Sequence, residues 1–326
     1  MRALLCKQFG PPESLVLEDV ADPKPGRGQL VIDVEACAVN FPDVLMIEDK
    51  YQFKPPMPFS PGAEVAGVVA DIGEGVEGVA IGDAVLASPG YGGMAEKAVV
   101  AASGAVPIPS GMDMATASAF LYAYGTSHYA LKDRAHLQEG ESLLVLGAAG
   151  GVGLAAVELG RVMGARVIAA ASSEEKLELC RTAGASETIN YETEDLRGRL
   201  KELTGAKGVD VVYDPVGGRF SEPALRSMAW DGRFLVIGFA AGDIPKIPLN
   251  LTLLKSCSIV GVFWGAFVAR ERKRHLANVK ELMGWWQEGL VKPHISARYP
   301  LEQAAQAIRD VADRRAQGKI VVLPRG

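Results

Sequence analysis

The chain has 326 residues, of which 34 are basic and 39 acidic, so its formal net charge is −5, and 48% of its residues are hydrophobic. At about 150 residues per domain, this length allows two domains that each bury a core. The acidic balance argues against nucleic acid as the main partner, because phosphate binding leaves a basic footprint. No apolar stretch reaches the ~18 residues that a membrane span requires, so we expect a soluble, untargeted protein with no membrane partner.

The cysteines are far apart in the sequence, and none lies beside a histidine at metal-binding spacing. They predict neither a disulfide framework nor a structural zinc site. Because free cysteine is among the most buried residue types, we expect packed thiols in a reducing cytoplasm. The four residues are Cys6, Cys37, Cys180 and Cys257.

The first hundred residues have the pattern of a β-rich module. Residues 30–36 alternate in polarity, and residues 65–73 form a second strand-like run that ends at glycine. Residues 55–62 contain four prolines, which lack a backbone donor and exclude regular structure. We therefore predict an ordered surface loop there.

From about residue 115 the pattern changes to alternating strands and helices. Ser172 and Glu175 have capping-box spacing at the start of one helix, which Gly184 ends. Near-continuous apolar strands in this order are typical of a parallel sheet covered on both faces. The four apolar runs are residues 143–146, 166–170, 209–213 and 233–237.

A glycine-rich turn follows the first of these apolar runs and leads into a helix. Such a turn places helix N–H groups and the positive end of the helix dipole where a pyrophosphate can bind. Gly150 would let the backbone approach the phosphates, and Gly153 would let helix and strand pack closely. Strand, turn and helix together predict a dinucleotide site. Its residues are Ala149, Gly150, Gly151, Val152 and Gly153.

The end of the second apolar run favours NADP over NAD. An NAD enzyme usually has an acidic residue there, which holds the ribose 2′-hydroxyl and would repel a 2′-phosphate. Here the run ends in alanines followed by Ser172 and Ser173, with Lys176 one helical turn later. The two hydroxyls and the ammonium can bind a phosphate, although Glu174 and Glu175 weaken the local positive field. NAD remains the alternative.

Four segments carry a wider resemblance: Val39-Asn40-Phe41-Pro42-Asp43, the run from Pro61 to Val69, the turn from Ala148 to Gly153, and Gly318-Lys319-Ile320-Val321. Together they resemble the zinc-independent quinone oxidoreductases of the medium-chain dehydrogenase/reductase superfamily. This resemblance implies an α/β protein with a GroES-like β-rich catalytic domain over residues 1–118. It also implies a Rossmann domain with a doubly wound parallel sheet, which binds NADP, over residues 119–262. Residues 263–326 are then expected to return to the catalytic domain.

Zinc alcohol dehydrogenases of the same superfamily provide a contrast. They resemble this chain in the same region but have a cysteine at the position of Asn40 and a histidine at the position of Ala63. Residues 100–130 contain no cysteine that could serve as a third ligand. Since catalytic zinc requires three protein ligands, we expect no metal and an acceptor that is already electrophilic.

The resemblance also suggests the catalytic residues Asn40, Asp43 and Thr126. A quinone or an enone accepts hydride without a metal, because conjugation spreads the charge onto an oxygen that hydrogen bonds can stabilise. Asn40 is the leading donor to this oxygen, and the alternative is that it bonds a loop carbonyl. Asp43 is expected to orient backbone or ribose groups, and Thr126 to lie near the nicotinamide.

Further residues are expected by resemblance to border the cofactor. Tyr191 would lie beside the adenosine phosphate and Arg314 near the 2′-phosphate, while the others follow successive strands. For the aromatic members, simple burial in the core is a competing interpretation. The full set is Tyr191, Val216, Gly217, Gly238, Phe239, Ala240, Val262, Phe263, Trp264 and Arg314.

The sequence therefore predicts an NADPH-dependent, zinc-independent reductase of quinones. Enones, alkenals and enoyl thioesters are alternative acceptors for the same chemistry. A different alternative is a cofactor-binding protein with little turnover. The resemblance also implies a homodimer, in which the apolar strand near Val260 extends a sheet across the partner.

Overall fold

The chain folds into fifteen strands and eleven α-helices, and the computed structural model describes all 326 residues. The strands are β1 (Arg2–Leu5), β2 (Val16–Asp19), β3 (Gln29–Val39), β4 (Val65–Ile72), β5 (Ala84–Ala87), β6 (Lys97–Ala101), β7 (Val106–Pro107), β8 (Ser142–Leu146), β9 (Arg166–Ala171), β10 (Glu187–Asn190), β11 (Val209–Asp214), β12 (Met228–Val236), β13 (Ser258–Gly261), β14 (Ile295–Pro300) and β15 (Lys319–Leu323). The α-helices are α1 (Phe41–Ile47), α2 (Met114–Ser118), α3 (Leu121–His128), α4 (Gly151–Val162), α5 (Glu174–Ala183), α6 (Leu196–Thr204), α7 (Ser221–Arg226), α8 (Asn250–Lys255), α9 (Trp264–Arg270), α10 (Arg272–Gln287) and α11 (Ala304–Ala312). No helix combines the length and the apolar character that crossing a bilayer requires.

The chain divides into two units. Unit 1 comprises Met1–Tyr122 together with Pro293–Gly326, and unit 2 is Ala123–Lys292. The first division lies four residues after the predicted end of the catalytic domain at residue 118. The second lies thirty residues after the predicted end of the Rossmann domain at residue 262. Residues 263–292 therefore belong to unit 2, and the expected return to the catalytic domain begins only at Pro293.

The helices α9 and α10 stay in unit 2 because they pack on a π-helical turn, Tyr129–Arg134, that directly follows α3. The rings of Tyr129 and Phe267 are stacked with their centroids 4.0 Å apart. An ion pair of 2.7 Å joins Asp133 to Arg274. The apolar stripe of α10 is visible in the sequence, but a stripe alone does not say which unit it covers.

Unit 1 is the predicted β-rich module. Its main sheet has the order β14-β15-β3-β4-β5-β7, with β6 also paired to β3, and a β1–β2 hairpin completes the unit. The long strand β3 is central and antiparallel to both β15 and β4. Ile320 faces Val39 across the β15–β3 pair, and Cys37 faces Val65 across the β3–β4 pair. This register brings the end of β3 and the beginnings of β15 and β4 together.

Unit 2 contains a six-stranded sheet in the order β10-β9-β8-β11-β12-β13. Every neighbouring pair is parallel, and the order is that of a doubly wound dinucleotide-binding sheet. The predicted GroES-like and Rossmann α/β architecture is thereby confirmed. The strand order reverses between β8 and β11, and ligands of such sheets bind outside the carboxyl ends of the strands at this point.

The helix predicted to begin at Ser172 begins one residue later. Ser173 is its N-cap, and the Ser173 hydroxyl accepts a hydrogen bond from the N–H of Lys176 at 3.4 Å. The capping box predicted for Ser172 and Glu175 is therefore wrong by one residue. The predicted C-terminal end of this helix is confirmed, since Gly184 follows its last residue and has a left-handed φ of 107° that ends the helix.

Candidate active site

Four polar side chains are buried together where β3 ends and where β4 and β15 begin. We call Asn40, Asp43, Glu64 and Lys319 the polar centre; none of them is more than 7% exposed. Asn40 follows β3 directly, Glu64 precedes β4 directly, and Lys319 is the first residue of β15. The register of the three strands is therefore what brings residues so distant in sequence together.

Asn40 is held by bonds at both ends of its side-chain amide. Its Oδ1 accepts a hydrogen bond from Lys319 Nζ at 2.5 Å. Its Nδ2 donates to the carbonyl of Ala38 and to Oε2 of Glu64, each at 3.3 Å. Because an ammonium group donates only, this contact determines which end of the amide is the oxygen.

The two carboxylates of the polar centre have different partners. Asp43 accepts from the backbone N–H groups of Asn40 at 2.7 Å and Gly62 at 3.0 Å, which ties α1 to the loop before β4. Glu64 accepts from the N–H of Tyr122 at 2.8 Å, and its Oε2 lies 3.5 Å from Lys319 Nζ. Burial raises the pKa of Asp43 to about 6, although the N–H groups of Asn40 and Gly62 oppose this shift. Burial also raises the pKa of Glu64, and Lys319 opposes it.

In unit 2, the predicted glycine turn leads from β8 into α4. A Cβ on Gly153 would lie 2.3 Å from the carbonyl oxygen of Gly147, so close packing there requires glycine, as the sequence indicated. A Cβ on Gly150 would find its nearest neighbour, the same oxygen, at 3.4 Å. Gly150 therefore presents open backbone beside the α4 N-terminus, whose first N–H groups have no partner within the helix. This cradle fits a pyrophosphate.

The carboxyl end of β9 has the hydroxyls and the ammonium that the sequence predicted. Lys176 Nζ donates to Ser172 Oγ at 3.2 Å, and β9 itself ends in alanine with no acid. Tyr191 follows the neighbouring strand β10, where its N–H bonds the carbonyl of Ala171 at 3.1 Å and its ring contacts Phe220. These groups fit a phosphate on the adenosine ribose better than a free 2′-hydroxyl.

Most of the other residues predicted to border the cofactor lie at the carboxyl ends of strands in this same sheet. Val216 and Gly217 follow β11, where Asp214 accepts hydrogen bonds from both of their N–H groups at 2.8 Å. Gly238, Phe239 and Ala240 follow β12, and Val262, Phe263 and Trp264 follow β13.

Thr126 lies on α3 rather than after a strand. The next residue, Ser127, donates to the carbonyl of Val152 in the glycine turn at 2.9 Å, which holds this part of α3 against the turn. Trp264 packs against Gly125, where a Cβ would lie 2.9 Å from the indole ring. The two residues that flank Thr126 therefore contact the glycine turn and Trp264. Arg314 belongs to unit 1, between α11 and β15, with a φ of 58°.

Two family models match the chain, one within each unit. The model of the alcohol dehydrogenase GroES-like domain matches residues 26–110, and the model of the zinc-binding dehydrogenase matches residues 151–281. A quinone oxidoreductase-like protein 2 homologue of Nematostella vectensis is 39% identical over 98% of this chain and 88% of its own length. The quinone oxidoreductase of Rattus norvegicus is 36% identical over 99% of this chain and 98% of its own length.

Solved structures give the same result. The Escherichia coli quinone oxidoreductase complexed with NADPH superposes with a TM-score of 0.93 at 28% identity, covering 99% of this chain and all of the other. A mycobacterial protein, also solved with NADPH, superposes with a TM-score of 0.94 at 31% identity and with the same coverage of both chains. The chain belongs to the zinc-independent quinone oxidoreductases of the medium-chain dehydrogenase/reductase superfamily. It is accordingly an oxidoreductase.

The donor set of this quinone oxidoreductase family member does not suit zinc, although one matching family model is named for zinc binding. Ala63 offers a methyl group, and the Asn40 oxygen is bonded to an ammonium group. A metal ion beside Lys319 would be repelled by that positive charge. No group of three or more histidine, cysteine, aspartate or glutamate side chains is arranged to hold a metal.

The polar centre also contains residues to which sequence analysis gave no role. Glu64 and Lys319 lie within the segments that carried the family resemblance, yet neither was a candidate. The available signal was Lys319 itself, a charged residue at the start of the apolar strand β15, since lysine is almost never fully buried unless it is paired. For Asn40, the observed backbone bond is to the carbonyl of Ala38, which lies near the end of β3 and not in a loop.

Asp43→Asn should alter how stability depends on pH. A buried carboxyl whose pKa is about 6 when folded and 3.8 when free contributes stability that is fully present below pH 3.8 and lost as pH rises through 6. This difference of about 2 pKa units corresponds to about 3 kcal/mol. Wild type should therefore lose stability relative to Asp43→Asn between pH 4 and pH 7, measured by urea unfolding.

The control is Asp71→Asn, which changes an exposed carboxyl at the end of β4. The difference in free energy of unfolding between Asp71→Asn and wild type should stay constant over the same pH range. The assignment of a buried, protonatable Asp43 would be contradicted by either of two results for Asp43→Asn. Its difference from wild type in free energy of unfolding could also stay constant, or wild type could become relatively more stable as pH rises.

Proposed function

We propose that the chain is an NADPH-dependent, zinc-independent reductase of quinones. The observation that carries this proposal is the polar centre, where an amide bonded to an ammonium group stands at a position that holds a metal ligand in zinc relatives. Without a Lewis acid, hydride transfer needs an acceptor that spreads the incoming charge by itself, as a conjugated quinone does. The names of the relatives, which include quinone oxidoreductases from animals and bacteria, support this choice of acceptor.

NADPH is the proposed cofactor, and when bound it supplies the hydride. The residues proposed to hold its pyrophosphate are those of the glycine turn, from Ala149 to Gly153. Ser172, Ser173 and Lys176 are proposed to hold the 2′-phosphate, with Tyr191 beside them. Two structural neighbours solved with NADPH support this proposal.

The residues of the polar centre have distinct proposed roles in the reduction. The two hydrogen bonds that Asn40 Nδ2 donates each have a donor–acceptor distance of 3.3 Å. This is longer than the usual 2.9–3.0 Å of a strong N–H···O hydrogen bond. Asn40 can therefore give one of them up to donate to the acceptor oxygen as charge develops there. Asp43 holds the backbone N–H of Asn40 and so positions this amide. Thr126, held against the glycine turn through Ser127, is proposed to lie beside the nicotinamide.

The test is optical measurement of NADPH oxidation by the purified protein, with a quinone, an alkenal and an enoyl thioester offered in parallel. The proposal expects the highest kcat/KM with the quinone, and a preference for NADPH over NADH. A preference for the alkenal or the thioester would retain the chemistry but overturn the quinone assignment. Binding of NADPH without turnover of any acceptor would favour a cofactor-binding protein.

Lys176→Ala in the same assay tests the proposed phosphate site. A hydrogen bond to a charged group contributes about 1.5–3 kcal/mol, so we expect KM for NADPH to rise roughly tenfold or more. KM for NADH should remain unchanged, because NADH has no 2′-phosphate. Lys201→Ala, on the exposed face of α6, is the matched control and should change neither value. Equal effects of Lys176→Ala on the two cofactors would refute the phosphate role.

A homodimer formed through β13 is also proposed. This strand is at one edge of the parallel sheet, where unpaired backbone groups can pair with a second copy. Ile259 on β13 is 41% exposed, and Leu253 and Leu254 of the preceding α8 are more exposed still. Light scattering should give twice the mass of the chain, and Ile259→Lys should give the monomer. The control Leu276→Lys changes an equally exposed residue on α10 and should leave the dimer intact; a monomeric wild type would exclude the proposal.

A further inference from the structure

We propose that Lys319 is a positioning residue for the reduction: its ammonium group orients the Asn40 amide and compensates the charge of the two buried carboxylates beside it. This inference rests on the proposed reductase function for its kinetic consequences. Its consequences for charge and stability concern the free protein and do not depend on that function.

The location of Lys319 is unusual for a lysine. It begins the apolar strand β15, and its side chain is only 5% exposed. Its neighbour Ile320 pairs with Val39 of β3, which places Lys319 beside the residue that follows β3, Asn40. A lysine buried in this way requires a compensating partner. The short contact to Asn40 Oδ1 and the longer one to Glu64 Oε2 provide it.

The first consequence concerns orientation. Asparagine has an acceptor end and a donor end of nearly the same shape, so packing alone does not distinguish the two. Lys319 can only donate, and it therefore holds the oxygen of Asn40 towards itself and the N–H groups towards Ala38 and Glu64. Without the ammonium group, the amide can turn over and present its oxygen where a donor is needed.

The second consequence concerns charge. Asp43 and Glu64 are both essentially inaccessible, and with Lys319 the three groups carry a net charge of −1 when all are ionised. Lys319 lowers the pKa of both carboxyls against the larger raising effect of burial. The other titratable groups that face them, Tyr122 and Cys37, have pKa values raised well above normal by burial. They are therefore neutral at pH 7 and cannot replace the ammonium.

The experiment compares Lys319→Met with the double variant Lys319→Met/Glu64→Gln. Methionine is of similar length but has no charge, so the single variant leaves two buried carboxylates without a cation. The double variant removes one carboxylate and restores the net charge to −1. The matched control is Lys97→Met, a lysine on β6 of the same sheet that pairs with Asp33 and Asp22 near the surface.

In the kinetic arm, quinone reduction is measured from pH 5 to pH 9. A hydrogen bond to a charged group is worth roughly 10–100-fold in an equilibrium or rate, so we expect Lys319→Met to lower kcat by about that factor without raising KM for NADPH. Removal of a nearby opposite charge should shift the acid side of the pH profile upwards by about 1–3 units. The double variant should return the profile towards that of wild type but keep a low kcat, because the amide is still not oriented.

In the second arm, urea unfolding of the free proteins is measured at pH 7. Lys319→Met should be much less stable than wild type, because breaking a buried ion pair leaves an uncompensated charge. The double variant should recover part of this loss, and Lys97→Met should stay close to wild type. If Lys319→Met is too unstable to purify, purification of the double variant alone is itself the expected charge rescue.

Three results would overturn the proposal. They are a wild-type pH profile and kcat in Lys319→Met, an effect confined to KM for NADPH, and a double variant no more stable than the single one. If wild type reduces no acceptor at all, the proposed function fails, while the unfolding comparison still decides whether Lys319 compensates the buried charge.

Discussion

One ammonium group buried in the same polar centre as two carboxylates is the constraint on which unit 1 depends. Lys319, Glu64 and Asp43 are brought together only when β15, β3 and β4 are in register, so an error in strand pairing would leave charges buried without partners. The carboxylates in turn hold backbone groups: Asp43 holds the start of α1 and the turn at Gly62, and Glu64 holds the N–H of Tyr122, the last residue before unit 2. The same contacts that secure the fold thus determine the direction of the Asn40 amide.

In unit 2, the candidate site is formed mainly by backbone groups, whereas in unit 1 it is formed by polar and charged side chains. Parallel strands expose their carboxyl ends at one edge of the sheet, and the glycine turn after β8 shapes the backbone at the point where the strand order reverses. Gly153 is required there because a side chain would collide with the carbonyl of Gly147. Ser127 connects α3 to this turn, and Trp264 packs α9 against α3 at Gly125. The cofactor binding proposed for this edge therefore relies on main-chain geometry, and the proposed selectivity on the side chains of Ser172, Ser173 and Lys176.

Sequence analysis recovered the elements whose signal is local. Apolar runs and the glycine turn predicted the parallel sheet, and the β-rich first unit followed from alternation and proline punctuation. Strand β10 was missed because it has four residues and only Ile189 among them is buried. The predicted assignment of α9 and α10 to the catalytic domain also differs from the structure. Their assignment depends on packing partners such as Tyr129, which is more than a hundred residues earlier in the sequence. Lys319 was overlooked for the same reason: its partner Asn40 is 279 positions away, and no local pattern reports such a contact.

The central claim is that this site reduces its acceptor without a metal, using the polar centre in place of zinc. The most direct test is quinone reduction with NADPH after exhaustive dialysis of the protein against a strong zinc chelator, with residual zinc measured by mass spectrometry of the same sample. The account predicts unchanged kcat at substoichiometric zinc and no gain when zinc is added back. Loss of activity in proportion to the zinc removed, with recovery on adding zinc, would contradict it.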